Sequence, residues 1–165
     1  MAEAPNGVAA ALNALPVDEA RAAFARCCGS TRWAAAMVAR RPFSSPEDLF
    51  AAADTIWAGL ERADHLEAFS HHPAIGAARA SGLAAREQAQ VAHAGAATLQ
   101  ALEALNRTYR DRFGFVFLVC ATGKSADEML ALLRARIDNP AETELRIAAA
   151  EQAKITRLRL EKLVP

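Results

Sequence analysis

Apolar positions recur at helical spacing along most of the chain, interrupted at short intervals by glycine, proline and capping residues. Pro16-Val17-Asp18-Glu19 opens an amphipathic stretch that carries Phe24, and Gly29 predicts a left-handed stop just past its end. Ser30-Thr31 predicts a cap on a second helix, Arg32 to Arg40. That helix must stop before Pro42, because the residue ahead of a proline is driven out of α space. Ser45-Pro46-Glu47-Asp48 combines a cap, a proline at the first helical position and early acids, which predicts a helix through Trp57 and Leu60. Asp64 predicts the cap of a short helix through Phe69, ended by Pro73 and Gly76, with His71 and His72 at the break.

From about Leu83 to Phe113 the pattern predicts one long helix, with Val91, Leu99, Leu102, Leu105 and Tyr109 on its stripe and Gly95 as a candidate kink. Phe113-Gly-Phe-Val-Phe-Leu-Val-Cys-Ala121 is a continuous apolar run of β-prone residues. No second segment of that kind is present to pair with it, so it reads as buried and extended, with backbone groups that need other partners. Ser125-Ala-Asp-Glu128 forms a capping box ahead of Met129, Leu130, Leu132, Leu133 and Ile137, and Asn139-Pro140 ends that helix. The last stretch, Ala141 to Val164, spaces Leu145, Ile147, Ile155, Leu158 and Leu163 among charges as a long amphipathic helix does. The expected fold is all-α: a single domain over residues 1–165, built as a bundle of seven to eight helices with one buried extended segment near 113–121.

Composition agrees with a helical core. Hydrophobic residues make up 53% of the 165 residues, much of that alanine, and aromatics only 6%. Basic and acidic residues balance at 19 each, which argues against nonspecific nucleic-acid binding. The N-terminal stretch lacks the charge and apolar run of a signal peptide, and no run approaches a membrane span, so the expectation is a cytoplasmic protein that does not engage membranes. Cys27, Cys28 and Cys120 lack metal or redox spacing and read as buried thiols.

Among the histidines, His65, His71, His72 and His93, no HExxH pair or other known ligand spacing appears, so no metal is expected. His72 suits general acid or base work, because an imidazole titrates near neutrality; the competing reading is a helix-end histidine bonded to backbone. Glu87 sits beside Gln88 near a helix start, where a glutamate more often offsets the helix dipole than does chemistry, but a turn between the two elements would bring it to His72. Gly123-Lys124-Ser125 imitates the tail of a phosphate-binding loop but has Leu118 where the first glycine belongs. Sixteen of the nineteen basic residues are arginine, whose planar fork suits carboxylate and ureido oxygens. Arg157 and Arg159, two residues apart, point to different helix faces.

At His72-Pro73-Ala74-Ile75-Gly76 the chain resembles the 2-oxo-4-hydroxy-4-carboxy-5-ureidoimidazoline (OHCU) decarboxylases. Similar features follow in order over about residues 8–163: Leu12-Asn13, Cys27-Cys28-Gly29-Ser30 with Trp33, Arg41-Pro42-Phe43, the HPxIG segment, Glu87-Gln88, Asn106-Arg-Thr-Tyr109, Arg112 to Gly123, Lys154-Ile155 and Arg159-Leu160. The resemblance implies an all-helical enzyme of urate breakdown, commonly a homodimer, that needs no cofactor and releases CO2 to give (S)-allantoin. It implies His72 and Glu87 as catalytic residues. It places Pro73, Ala84, Gln88, Arg159 and the backbone of Phe117, Leu118 and Val119 around the substrate.

One position departs from the family. A serine usually stands three residues before the catalytic glutamate, and here that residue is Ala84, with Ser81 one turn earlier. Losing one neutral hydrogen bond costs about 0.5–1.5 kcal/mol, which weakens binding without removing the chemistry. Two other readings remain beside this one: a related all-α enzyme with altered substrate preference, and a noncatalytic helical interaction protein. The joint presence of His72 and Glu87 argues against the second.

Overall fold

Capping chemistry sets where several of the helices begin. In the computed structural model, which describes residues 7–76, 82–89 and 94–163, the elements are α1 (Gly7–Ala14), α2 (Val17–Cys27), α3 (Thr31–Arg40), α4 (Pro46–Ala58), α5 (Arg62–Ser70), α6 (Gly82–Glu87), α7 (Ala96–Phe113), α8 (Ala126–Arg136) and α9 (Ala141–Glu161). The described residues contain no strand, so the all-α expectation holds. The hydroxyls of Ser30, Ser45 and Ser125 accept hydrogen bonds from the backbone N–H groups of Trp33, Asp48 and Glu128, as the sequence predicts.

Three expectations need correction, and one helix was not foreseen. Gly29 is not a left-handed stop: α2 ends at Cys27, and Cys28 caps it in extended backbone with φ −149°. Asp64 does not cap α5 but lies inside its first turn, where its carboxylate accepts the Glu61 N–H at 3.1 Å and meets Arg32 at 3.3 Å. The long helix expected from Leu83 to Phe113 is two helices, because α6 stops at Glu87 and Gly95, in extended backbone, begins α7. Val91 and His93 lie outside the described residues. α1 was not anticipated; its short apolar run is held by contacts made later in the chain.

The chain divides into two compact units after Ala68 and after Gln152. In the first, Trp33 is fully buried, donates its indole N–H to the Ala53 carbonyl at 3.1 Å and meets Phe24 edge-on at 5.9 Å. Arg41 donates to the carbonyls of Leu12 and Leu15 at 2.8 and 2.7 Å, satisfying the end of α1. Asn13 and the Phe43 backbone exchange two hydrogen bonds of 2.8 and 2.9 Å. The Leu12-Asn13 and Arg41-Pro42-Phe43 motifs are therefore one structural clasp.

In the second unit α7 ends at Gly114, whose φ of +81° only glycine adopts without strain. Beyond it the chain runs extended and buried from Phe115 to Ala121 without strand pairing, as anticipated. Phe113 itself belongs to α7 rather than to the extended run. Two long cations satisfy carbonyls of that run: Arg136 donates to Leu118 O at 2.7 Å and Lys124 to Cys120 O at 2.8 Å.

The buried face of α9 differs from its apolar stripe. Glu144, Ala148, Gln152 and Leu160 are fully buried, with Ile155 and Thr156 nearly so, whereas Leu145, Ile147 and Leu158 are only half-buried. Ile155 alone of the expected stripe is buried, so the inward face overlaps the aliphatic one only in part. Three polar side chains, Glu144, Gln152 and Thr156, thereby enter the core. Among the described residues no helix is long and apolar enough to cross a membrane.

Candidate active site

His72 follows the C-terminus of α5, where its backbone N–H donates to Phe69 O at 3.1 Å, closing one further turn. The ring is half-buried, and its Nε2 lies 2.6 Å from Oε1 of Gln152 on α9. Pro73 and Ala74, also half-buried, carry the chain to buried Ile75 and to Gly76, which turns with φ +82°. Two side chains pin this segment. Asn106 of α7 donates its Nδ2–H to Ile75 O at 3.0 Å, and Gln88 accepts the Gly76 N–H on Oε1 at 3.0 Å.

The Gln88 bond ties the His72 segment to the end of α6, where Glu87 and Ala84 are half-buried. Glu87 lies close enough to Cys120 to bear on its thiol electrostatically, as does Glu151 of α9. The end of α6, the His72 segment and the end of the 117–119 run therefore belong to one neighbourhood. Arg159 lies in the first unit, on the final turns of α9, where its charge acts on Cys27 and Cys28. Ser81 lies outside the described residues.

The backbone of Phe117, Leu118 and Val119 is fixed from behind by a buried ionic cluster. Arg136 makes a forked contact with Glu144, with Nη2 to Oε2 at 3.0 Å and Nε to Oε1 at 3.1 Å, while its other Nη reaches Leu118 O. Asn139 adds a bond to Glu144 at 3.0 Å, and the Tyr109 hydroxyl donates to the same carboxylate. The guanidinium also lies over the Phe117 ring at 4.6 Å. Burial pushes the Glu144 carboxyl upward, but the donors Arg136, Tyr109 and Asn139 outweigh it and hold it below its usual range. Burial, reinforced by the bond to Glu144, pushes the Tyr109 hydroxyl well up, so it stays protonated.

Composition and spacing did not single out Arg136, Glu144, Asn106 or Gln152. The available signal was polar residues at 144 and 152, four either side of Ala148 on one helix face. Other candidates separate clearly from the site. The His65 ring stacks on Trp57 at 4.3 Å and bonds Trp57 O at 3.0 Å, a structural role, and His71 is exposed. Burial pushes the thiols of Cys27 and Cys28 up to about 12 and about 11, so at neutral pH they are protonated and poor nucleophiles. All three cysteines are buried and free. Among the described residues no three His, Cys, Asp or Glu side chains gather into a group that could hold a metal ion.

Beside the His72 segment a cleft of about 510 Å³ opens along α7, with Ile75, Leu99 and Val116 as apolar wall and Glu103, Asn106 and Arg110 as polar wall. Asn106 Oδ1 is buried there without a hydrogen-bond partner.

An all-helical chain with a histidine at a helix end, a neighbouring Glu-Gln pair and a buried nonhelical run nearby describes a class of small helical enzyme rather than a binding repeat. Residues 13–161 match the family model described as OHCU decarboxylase, and the chain belongs to that family. It is 38% identical over 145 residues to the Arabidopsis thaliana "Uric acid degradation bifunctional protein TTL", covering 83% of this chain and 45% of that protein, so it spans less than half of that relative's length. It is 29% identical over 153 residues to the Haloferax volcanii 2-oxo-4-hydroxy-4-carboxy-5-ureidoimidazoline decarboxylase, covering 90% and 91% of the two chains. A crystal structure of an OHCU decarboxylase in the presence of (S)-allantoin superimposes with TM-score 0.77 at 39% identity, covering 85% of this chain and 95% of that one.

Proposed function

We propose that the chain decarboxylates 2-oxo-4-hydroxy-4-carboxy-5-ureidoimidazoline to (S)-allantoin in urate breakdown, with His72 and Glu87 as its catalytic residues. The observation that carries the reading is the 3.0 Å bond from Gly76 N–H to Gln88, which joins the His72 segment to the helix bearing Glu87. Family membership supplies the substrate.

The chemistry suits these groups. Breaking the bond to the carboxylate releases CO2 and leaves an electron pair on the ring carbon, which the adjoining imine of the substrate delocalises. Such a substrate is its own electron sink and calls for no cofactor. The protein must orient the departing carboxylate and deliver one proton to one face of that carbon, which needs fixed hydrogen bonds and one group that titrates near neutrality. Glu87 holds ureido or ring N–H groups, and His72 assists the loss of CO2 or delivers the proton. Pro73 and Gln88 border the substrate, and the backbone of Phe117 to Val119, outside any strand ladder and with Leu118 O already held by Arg136, offers its remaining N–H and C=O groups to a flat heterocycle. The assignment of Arg159 to substrate oxygens, a homodimeric assembly and a cytoplasmic location rest on the resemblance alone.

Circular dichroism of freshly generated substrate tests the reading: with the protein, optically active allantoin accumulates, whereas the spontaneous reaction gives racemate. Racemic product at the uncatalysed rate would overturn it. Ala84, where the family has serine, favours one second reading, a preference for a close ureidoimidazoline analogue, which decay rates across such analogues would expose.

A further inference from the structure

Position 106 lies on the buried face of α7 with Leu102, Tyr109 and Phe113, and an asparagine there is an unfavourable choice. Asparagine forms helices less readily than leucine, and its Oδ1 is buried without a hydrogen-bond partner. What the residue gains lies at the other end of its amide, where Nδ2–H donates to Ile75 O at 3.0 Å. The N–H of that same peptide group, on Gly76, donates to Oε1 of Gln88 at 3.0 Å. A peptide oxygen only accepts and a peptide N–H only donates, so the backbone dictates which way both amides face. One peptide plane is thus gripped at both edges, by α7 at its oxygen and by the residue after Glu87 at its nitrogen.

We propose that Asn106 is a positioning residue: by holding the Ile75 carbonyl it fixes the plane of the Ile75–Gly76 peptide, keeps the Gly76 N–H on Gln88, and so sets where the end of α6 presents Glu87. The grip matters because glycine at 76 does little to fix that plane. Turning the plane about its flanking bonds would carry Gly76 from φ +82° towards negative φ, which glycine adopts as readily. The turned plane would point its N–H away from Gln88. α6 has six residues, too few for a helix to persist on its own backbone bonds, so the placement of Glu87 depends on ties to the rest of the chain. Gln88 carries such a tie one residue beyond Glu87. Support of this kind, a packed helix side chain locking a loop that bears reacting groups, is what holds a site to its productive geometry. The proposal rests on the catalytic reading of His72 and Glu87 for its effect on turnover, whereas the clamp is a property of the protein alone.

The test uses the full chain labelled with ¹⁵N and ¹³C, comparing wild type with Asn106→Leu and Asn106→Asp. The first removes both ends of the amide at nearly the same volume; the second, when ionised, keeps the shape but offers only acceptors. Far-ultraviolet circular dichroism and urea melts give the folded fraction of each. Wild type should show scalar couplings across two hydrogen bonds, from Gly76 ¹⁵N to the Gln88 side-chain carbonyl carbon and from Asn106 ¹⁵Nδ2 to the Ile75 carbonyl carbon. In both variants the Gly76–Gln88 coupling should vanish, and kcat per folded molecule, measured by accumulation of optically active allantoin, should fall about 10-fold or more. A residue that merely satisfied a buried carbonyl would lower stability and leave both readings at wild-type values. Absence of either coupling in the wild type, persistence of the Gly76–Gln88 coupling in both variants, or wild-type kcat per folded molecule in both would overturn the proposal. If one variant does not fold, the other decides. Racemic allantoin from the wild type would instead remove the catalytic reading, and the couplings would still decide what Asn106 holds.

Discussion

Glu144 and Gln152 lie about two turns apart on α9, both fully buried, and the protein answers them in opposite ways. Glu144 is charged and closed in: Arg136, Asn139 and Tyr109 all donate to it, and Arg136 spends its remaining arm on the Leu118 carbonyl. Gln152 is neutral, and its amide oxygen meets the half-buried imidazole of His72. The first arrangement has no titratable group open to a ligand and holds a backbone still. The second brings a buried amide to a side chain of the candidate site. The difference teaches that burial of a polar residue is not in itself a sign of function; what matters is whether the partner it meets is a backbone-holding cation or a side chain suited to chemistry.

Variants at the two centres should therefore break different things. His72→Ala should reduce turnover by about 10²–10⁴-fold, the range for losing a general acid or base, while denaturant melts stay close to wild type. Comparable losses of stability and turnover would show that the two centres do not differ in kind. Glu144→Ala should destabilise the fold by about 3–5 kcal/mol, because it leaves the Arg136 guanidinium buried without its counter-charge. Urea melts monitored by circular dichroism measure that loss, and any drop in turnover should follow the unfolded fraction.

Acid sharpens the contrast. The folded carboxyl of Glu144 is held below its ordinary value, so the unfolded chain binds more protons at low pH. The stability it contributes is complete above the ordinary glutamate value of about 4.3 and is lost as pH falls through the depressed folded value. Melts of wild type and Glu144→Gln between neutral pH and pH 3 should converge on acidification; a constant gap would show that the carboxylate charge contributes nothing. The smallest effect falls outside both centres. Ser125→Ala removes the hydroxyl that accepts Glu128 N–H at 3.1 Å and should cost about 1 kcal/mol in the same melts, with turnover unaltered.

Legibility in the sequence followed the range of the interaction. Ser45 and Ser125 announce their helices because a cap acts over three residues. Gly29 and Asp64 misled because both residue types serve in several local roles, and contacts such as Arg32 with Asp64 decide among them. The break between α6 and α7 was visible only as Gly95, since alanine-rich sequence keeps helical propensity on either side of it. His72 and Glu87 were identifiable as ordered motif residues, but the bond joining Gly76 to Gln88 was not, nor was the role of Asn106.

The sequence alone determined that this is a helical protein with a nonhelical apolar run after α7, and it marked the histidine and glutamate of the candidate site. Only the tertiary structure decided which face of α9 is buried. Periodicity assigns a face by its aliphatic residues, and by that rule Leu145, Ile147, Ile155 and Leu158 should have turned inward; Ile155 does, and the other three are only half-buried. The helix also turns Glu144 and Gln152 inward, where Arg136 and His72 meet them through long-range contacts that no local pattern reveals. A buried polar group is tolerated only where tertiary partners answer it, and those partners lie far away in sequence.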